Sequence, residues 1–486
     1  MLKYSVRKLA WFLADRWLLG ALGLGLGLRV AFVLAGARLY YGPGREHHNG
    51  DSLSFINSFL NLWRHGQYTL EPLIPDAAFG RLPGYPFFYG LHYLIFGEAR
   101  AEVAVTVTQL LLDVAVIGLL YAVLQRGTAR RGAARLVAWL YAAYPFAIAW
   151  VPIIGTETLN TFLTVLWLWL LLRQGRGRAH YLLLGALLAV VFYVRVFMGA
   201  LLPITLLVLW LRPRPSHMPR WRPLLLVVLG FGALYLWWPL RNYVSYQRLV
   251  LIKPVSAGYA NQREDMQAYL DWLHTWTIDN TTWMEATVHY RPVRYPRELF
   301  SGPAEERRAY ALTALAARCG SSFHLRRLDT QEMRFVQPDR FRNCNAQIAA
   351  GFDSLRHSYI RRHPGRYLLV VPTANLVKGL FKSQLIHPAA SPYRQLLIRT
   401  LFACRSGLLL LGLAGLWVGR RKPLFWPIAA YFAFIYLYVS FGFRSLEIRY
   451  LLQADVLLLL PAAWLASLVV KPRTGLPRHP SAAENA

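Results

Sequence analysis

Three residues carry side chains that could do chemistry together. Asp51, in the polar run Glu46-His47-His48-Asn49-Gly50-Asp51-Ser52, offers a carboxylate that could orient a nucleophile or take its proton. Glu157 and Arg195 each stand near the end of an apolar stretch. If all three share one side of a membrane, they suit group transfer at an anionic lipid headgroup, because guanidinium donates bidentately to phosphate and keeps its charge. Plainer readings compete: an Asp after Gly is common turn chemistry, and charges at the ends of spans are often simply exposed at the interface. His47, His48, Asp51 and His65 do not form a recognised metal-ligand pattern. No cofactor is therefore expected, a divalent metal being the disfavoured alternative. Gly23, Gly25 and Gly27 copy a dinucleotide fingerprint in letters only, since they lie inside an apolar span where close helix packing accounts for them.

Membrane-spanning helices must position these side chains. Of the 486 residues, 56% are hydrophobic and 16% charged, against roughly 25% charged in an ordinary globular protein, which excludes a set of soluble domains. A span needs about 20 mostly apolar residues, and such stretches recur near 17–38, 101–124, 134–152, 156–173, 223–240, 399–418, 424–443 and 450–470. The stretch 181–211, broken at Gly199 and Pro203, reads as a helical hairpin. The expected fold is thus all-α and polytopic, with about ten transmembrane helices. Segments 85–97 and 367–386 are read instead as interfacial helices, because either one crossing alone would switch the side of every later basic loop. Ala35-Gly36-Ala37 imitates a signal-peptide cleavage site, but the apolar run before it is too long, so an uncleaved first span is expected.

Charge sets the orientation. The 54 Lys plus Arg against 24 Asp plus Glu leave +30, a balance compatible with nucleic acid, an anionic membrane surface or anionic substrates. Its distribution decides among them. Basic residues gather at Lys3, Arg7 and Lys8, and at 126–135, 173–178, 212–222, 420–422 and 471–473, whereas the turns at 152–156 and 196–200 carry none. The basic turns belong in the cytoplasm with both termini, and nucleic acid is not an expected partner. Two outer segments remain, 39–84 and 241–366, the second long enough for a small, mainly helical domain. It contains Cys319 and Cys344, whose pairing stays open. Arg29 and Asp113, deep in separate spans, either pair structurally or mark a transport path.

Several short motifs follow one another along the chain. Arg81-Leu82-Pro83-Gly84-Tyr85-Pro86 leads into 87–97; then come Tyr144-Pro145, Thr156-Glu157, the helix Gly185 to Arg195, Trp238-Pro239-Leu240-Arg241-Asn242-Tyr243, His363-Pro364-Gly365-Arg366-Tyr367 and Arg449-Tyr450. Their order and membrane side resemble the GT-C membrane glycosyltransferases, among them the dolichyl-phosphate-mannose protein mannosyltransferases and the bacterial lipid A aminoarabinose transferases. The resemblance covers most of the chain except 260–350. It implies a GT-C type transmembrane catalytic module over 1–243, with outer loop 39–84 and interfacial helix 85–97, and an extracytoplasmic domain over 244–366. An interfacial helix and C-terminal spans over 367–472 and a cytoplasmic tail over 473–486 complete the division. It also implies that Asp51 is catalytic and that the donor is a polyprenyl-phosphate sugar. Glu157 is expected to assist, Arg81, Arg195, Arg241 and Arg449 to bind the donor phosphate, and His48, Tyr85, Asn242 and Tyr450 to line the substrate pocket. Two positions depart from the pattern: Ser52 stands where many relatives carry a second acid, and Leu451-Leu452-Gln453 where a proline often follows.

The expected activity is a one-step, inverting transfer at a bacterial inner membrane, on its periplasmic side. The partners are membrane lipid, the lipid-linked donor and a glycan, lipid or protein acceptor. A transporter or lipid flippase, favoured by Arg29 and Asp113, is the alternative, and an inactive scaffold a third reading. A cavity joining Asp51, Arg81 and Glu157 would favour the enzyme.

Overall fold

The computed structural model describes residues 15–72, 75–173, 177–212, 219–254, 262–328, 338–381 and 391–469. Lys3, Arg7, Lys8, Lys382 and the tail 473–486 lie outside them. Regular structure among the described residues is entirely helical, as hydrocarbon requires, because a helix pairs its own backbone polar groups.

Helix α1 (Arg16–Tyr41) leads into α2 (Ser52–His65), α3 (Gly84–Phe96), α4 (Glu98–Thr128) and α5 (Arg131–Ala142). The stretch expected over 134–152 is interrupted after Ala142, and the short helix Pro145–Ile148 continues it. Next come α6 (Thr156–Leu172), α7 (Arg178–Val194), α8 (Val196–Leu211) and α9 (Trp221–Tyr246). A separate group follows: α10 (Glu264–Trp276), α11 (Asn280–Val288), α12 (Pro303–Cys319), α13 (Ser321–Arg327) and α14 (Pro338–Arg362). The chain then returns through α15 (Val371–Phe381), α16 (Pro392–Val418), α17 (Phe425–Phe443) and α18 (Ile448–Val469). Six of these, α1, α4, α9, α16, α17 and α18, are long and apolar enough to cross a membrane, and α6, α7 and α8 are shorter apolar helices. The chain is a multi-pass membrane protein. With 13 residues, α3 rises only about 20 Å, short of the ~30 Å hydrocarbon core, and suits the interface.

Helix α18 is the central pillar: 72% of its apolar window is buried inside the protein, against 22% for α1. Helices α7 and α9 approach so closely that a Cβ on Gly185 would fall 2.0 Å from the Val227 carbonyl oxygen. Only glycine permits that contact.

Two charge clusters lock the bundle. Arg29 Nε pairs with Asp113 while its Nη1 donates to the carbonyls of Gly25 (3.0 Å) and Ala142 (2.9 Å), and the Tyr141 hydroxyl donates to the same carboxylate. Every charge there is partnered and both charged residues are buried, so this pair is a closed structural one. The second cluster was not anticipated. Arg405 Nε donates to Asp455 Oδ2 at 2.8 Å and its Nη1 to the Gly379 carbonyl at 2.8 Å, while the Tyr436 hydroxyl donates to Asp455 Oδ1 at 2.6 Å.

The group α10–α14 has its own aromatic core around Tyr269, Trp272, Tyr295, Phe323 and Phe352. Cys319 and Cys344 are disulfide-bonded, with Cα atoms 6.1 Å apart and a sequence separation of 25. Closing a loop of that length restricts the unfolded chain by about 3.5 kcal/mol on the entropic account. Lys378 Nζ on α15 donates to the Ile278 carbonyl at 2.8 Å, tying this domain to the membrane bundle.

Candidate active site

The loop carrying Asp51 is stitched to the loop before α6. Ile154 N donates to the His47 carbonyl at 2.8 Å, and Ser52 Oγ donates to the Ile154 carbonyl at 2.7 Å. Ser52, the departure from the resembled pattern, therefore joins two loops. Asn49 Oδ1 accepts from Asp51 N at 2.9 Å and sets the turn that opens α2. These contacts bring Asp51 and Glu157 to one cavity.

Each Asp51 oxygen is held by a different arginine. Arg81 Nη2 donates to Oδ1 at 2.7 Å and Arg449 Nη1 to Oδ2 at 2.6 Å. Arg81 is further fixed by Nε to Ser54 Oγ at 2.7 Å and by the Phe55 ring, 4.1 Å from the guanidinium carbon. Gly84 lets α3 begin against the end of α7: a Cβ there would meet the Tyr193 and Val194 backbone at 2.5 Å. That approach places Arg81 on the same cavity as Arg195. Arg195 pairs with Glu157 at 3.3 Å and packs over Phe197 and Tyr450, and Glu157 is 2% exposed. Glu447 flanks Arg449 on its other side. Burial alone would raise the Asp51 carboxyl, but Arg449 and Arg81 outweigh it and hold the group well below the usual carboxylate range.

Asp51, Arg81, Glu157, Arg195, Arg449 and Tyr450 all line one cavity of about 780 Å³. The other four candidates point elsewhere. Arg241 donates to the carbonyls of Tyr68 (2.7 Å) and Ala78 (3.1 Å) and rests on Tyr68, Trp238 and Tyr246. Since the Tyr68 hydroxyl donates to the Arg81 carbonyl at 3.1 Å, Arg241 positions the loop that carries Arg81 and does not face the cavity. Asn242 is buried and donates to the Val250 carbonyl at 2.9 Å. Tyr85 is fully buried; its hydroxyl accepts from Gly155 N at 2.9 Å and donates to Gln109 at 2.8 Å, so it supports the loop before Glu157. His48 turns to Glu102 at 3.0 Å and His47 to the Pro152 carbonyl at 3.2 Å.

Lys253 also lines the cavity, and the sequence offered no signal for it beyond one lysine in an otherwise apolar run, Leu251-Ile252-Lys253-Pro254. Burial and the neighbouring Arg81 charge lower its ammonium to about 7, Asp51 opposing. A group lowered this way is charged below that pH and neutral above it. If the cavity takes a lipid phosphate, binding of undecaprenyl phosphate to the solubilised protein should weaken about tenfold from pH 6 to pH 8 through loss of the charged form, whereas Lys253→Arg should remove this dependence. An identical slope in the variant would exclude Lys253 from phosphate binding.

Residues 80–238 match the dolichyl-phosphate-mannose-protein mannosyltransferase family, a stretch holding Arg81, Glu157 and Arg195 but neither Asp51 nor Arg449. No curated protein matches the sequence. Among solved structures, the Archaeoglobus fulgidus oligosaccharyltransferase tethered with an acceptor peptide containing the NVT sequon aligns with TM-score 0.46 and 12% identity, over 95% of this chain and 50% of that one. ArnT from Cupriavidus metallidurans in the apo state aligns with TM-score 0.33 and 15% identity, over 89% and 77%. The chain spans about half the length of the archaeal protein.

Proposed function

We propose that this protein is an integral-membrane glycosyltransferase that moves a sugar from a polyprenyl-phosphate donor to an extracytoplasmic acceptor, with inversion at the anomeric carbon. The observation that carries the reading is a carboxylate gripped by two arginines on a cavity that also holds Glu157, Arg195 and Lys253. An acceptor hydroxyl attacks the anomeric carbon, the bond from that carbon to the phosphate oxygen breaks, and the phosphate leaves with the electron pair. The acceptor proton passes to Asp51. Arg81 and Arg449 cannot fully serve both Asp51 and a phosphate. Donor binding draws their positive charge away from the carboxylate, and Asp51 becomes a better base when the substrate is in place. Arg195 holds Glu157 beside the acceptor, and the protein sits in the bacterial inner membrane with this cavity on the periplasmic side.

Mass spectrometry of envelope glycans, glycolipids and glycoproteins from cells with and without the protein tests the activity, and unchanged profiles would sink it. For the donor, Arg81→Ala should weaken undecaprenyl phosphate binding roughly tenfold or more, the loss of one hydrogen bond to a charged group. Unaltered binding would remove Arg81 from the phosphate site.

A further inference from the structure

The cavity has a second wall that the donor does not use. Helix α10 buries Met266, Tyr269, Trp272 and Leu273 in the domain core. Its other face, Gln267, Asp271 and His274 at i, i+4 and i+7, lines the cavity together with Asn280 from the start of α11. This wall is organised. Gln267 Nε2 donates to Asp271 Oδ1 at 2.8 Å, and Asn280 Nδ2 donates to His274 Nε2 at 2.7 Å. Burial, with Arg444 nearby, lowers the His274 imidazole to about 4, so it is neutral at physiological pH. Beside Asp51, the buried Asn49 Nδ2 has no hydrogen-bond partner among the described residues and also lies on the cavity.

The two walls differ in charge. The membrane wall presents Arg81, Arg195, Arg449 and Lys253 with the carboxylates of Asp51, Glu157 and Glu447 between them; the facing wall presents one carboxylate, three amides and an uncharged imidazole. Resting on the transfer reading above, we infer that the acceptor is a neutral saccharide, held by Gln267, Asp271 and His274 so that one of its hydroxyls meets Asp51. A second anionic ligand would meet Asp271, and a cationic one would face a wall whose cations outnumber its carboxylates four to three. Sugar hydroxyls both donate and accept, which is what an amide beside a carboxylate answers on adjacent helical turns.

The full-length protein in detergent tests this against an oligosaccharide array and a peptide array, with undecaprenyl phosphate binding measured in parallel. The wild type should retain saccharides, and both Asp271→Asn and Gln267→Ala should reduce that signal at least tenfold while undecaprenyl phosphate binding stays within twofold. Saccharide binding unchanged in both variants, no saccharide bound by the wild type, or binding confined to peptides overturns the inference. Failure of the wild type to bind undecaprenyl phosphate instead overturns the donor reading and leaves the saccharide result to stand or fall on its own.

Discussion

Asp51→Asn should abolish sugar transfer, a loss of at least 10²- to 10⁴-fold for a positioned base, while membrane insertion and folding persist. The asparagine keeps the shape of the carboxylate but cannot take the acceptor proton or balance two guanidinium charges. Because Arg81 and Arg449 then have no anion to share, the same variant should bind undecaprenyl phosphate more tightly than the wild type. A carboxylate that only braced the arginines would leave transfer measurable in the asparagine variant, so retained transfer at near wild-type rate ends the catalytic assignment. The pH dependence follows in sign. Since the two arginines depress the Asp51 group, its ion pairs persist as pH falls below the ordinary Asp value of about 3.9. Under the proposed function, any loss of transfer on the alkaline side should instead follow Lys253, near 7.

Asp455→Ala should cost about 3–5 kcal/mol of stability, because it leaves the Arg405 guanidinium buried without its anion. Replacing both residues with leucine should recover most of that loss, since a well-packed apolar pair of similar volume is often as stable as the ion pair it replaces. Thermal unfolding of the detergent-solubilised protein, followed by loss of the monodisperse peak, reads the difference. A single variant that melts with the wild type would show that the cluster contributes no stability. Arg29 and Asp113 should behave alike, and activity retained per folded molecule in either double variant would separate these midspan charges from any transport role.

Much of the architecture was legible because hydropathy and helix length are local properties. A run of about 20 apolar residues spans whatever surrounds it, and 13 residues at Gly84–Phe96 are too few. Charge at a span's end likewise pointed to Glu157 and Arg195, and short motifs pointed to Asp51, Arg81 and Arg449. Arg241 and Asn242 looked equivalent to these in sequence, yet their side chains turn to the carbonyls of Tyr68, Ala78 and Val250. Which way an arginine turns depends on which carbonyls lie within its reach, and those are set by packing between distant segments.

Local patterning thus determined a multi-pass helical chain, a helix too short to span, and a short roster of charges at the ends of spans and in the loops between them. Tertiary structure decided which of them meet. Asp51 and Arg449 are 398 residues apart in the chain and joined by one 2.6 Å contact. Arg405 finds Asp455, Lys253 enters the cavity, and α10 supplies the cavity's facing wall. A hydrophobic pattern specifies that a segment is buried in lipid or protein, whereas the partner of a charge is chosen by geometry across the whole fold.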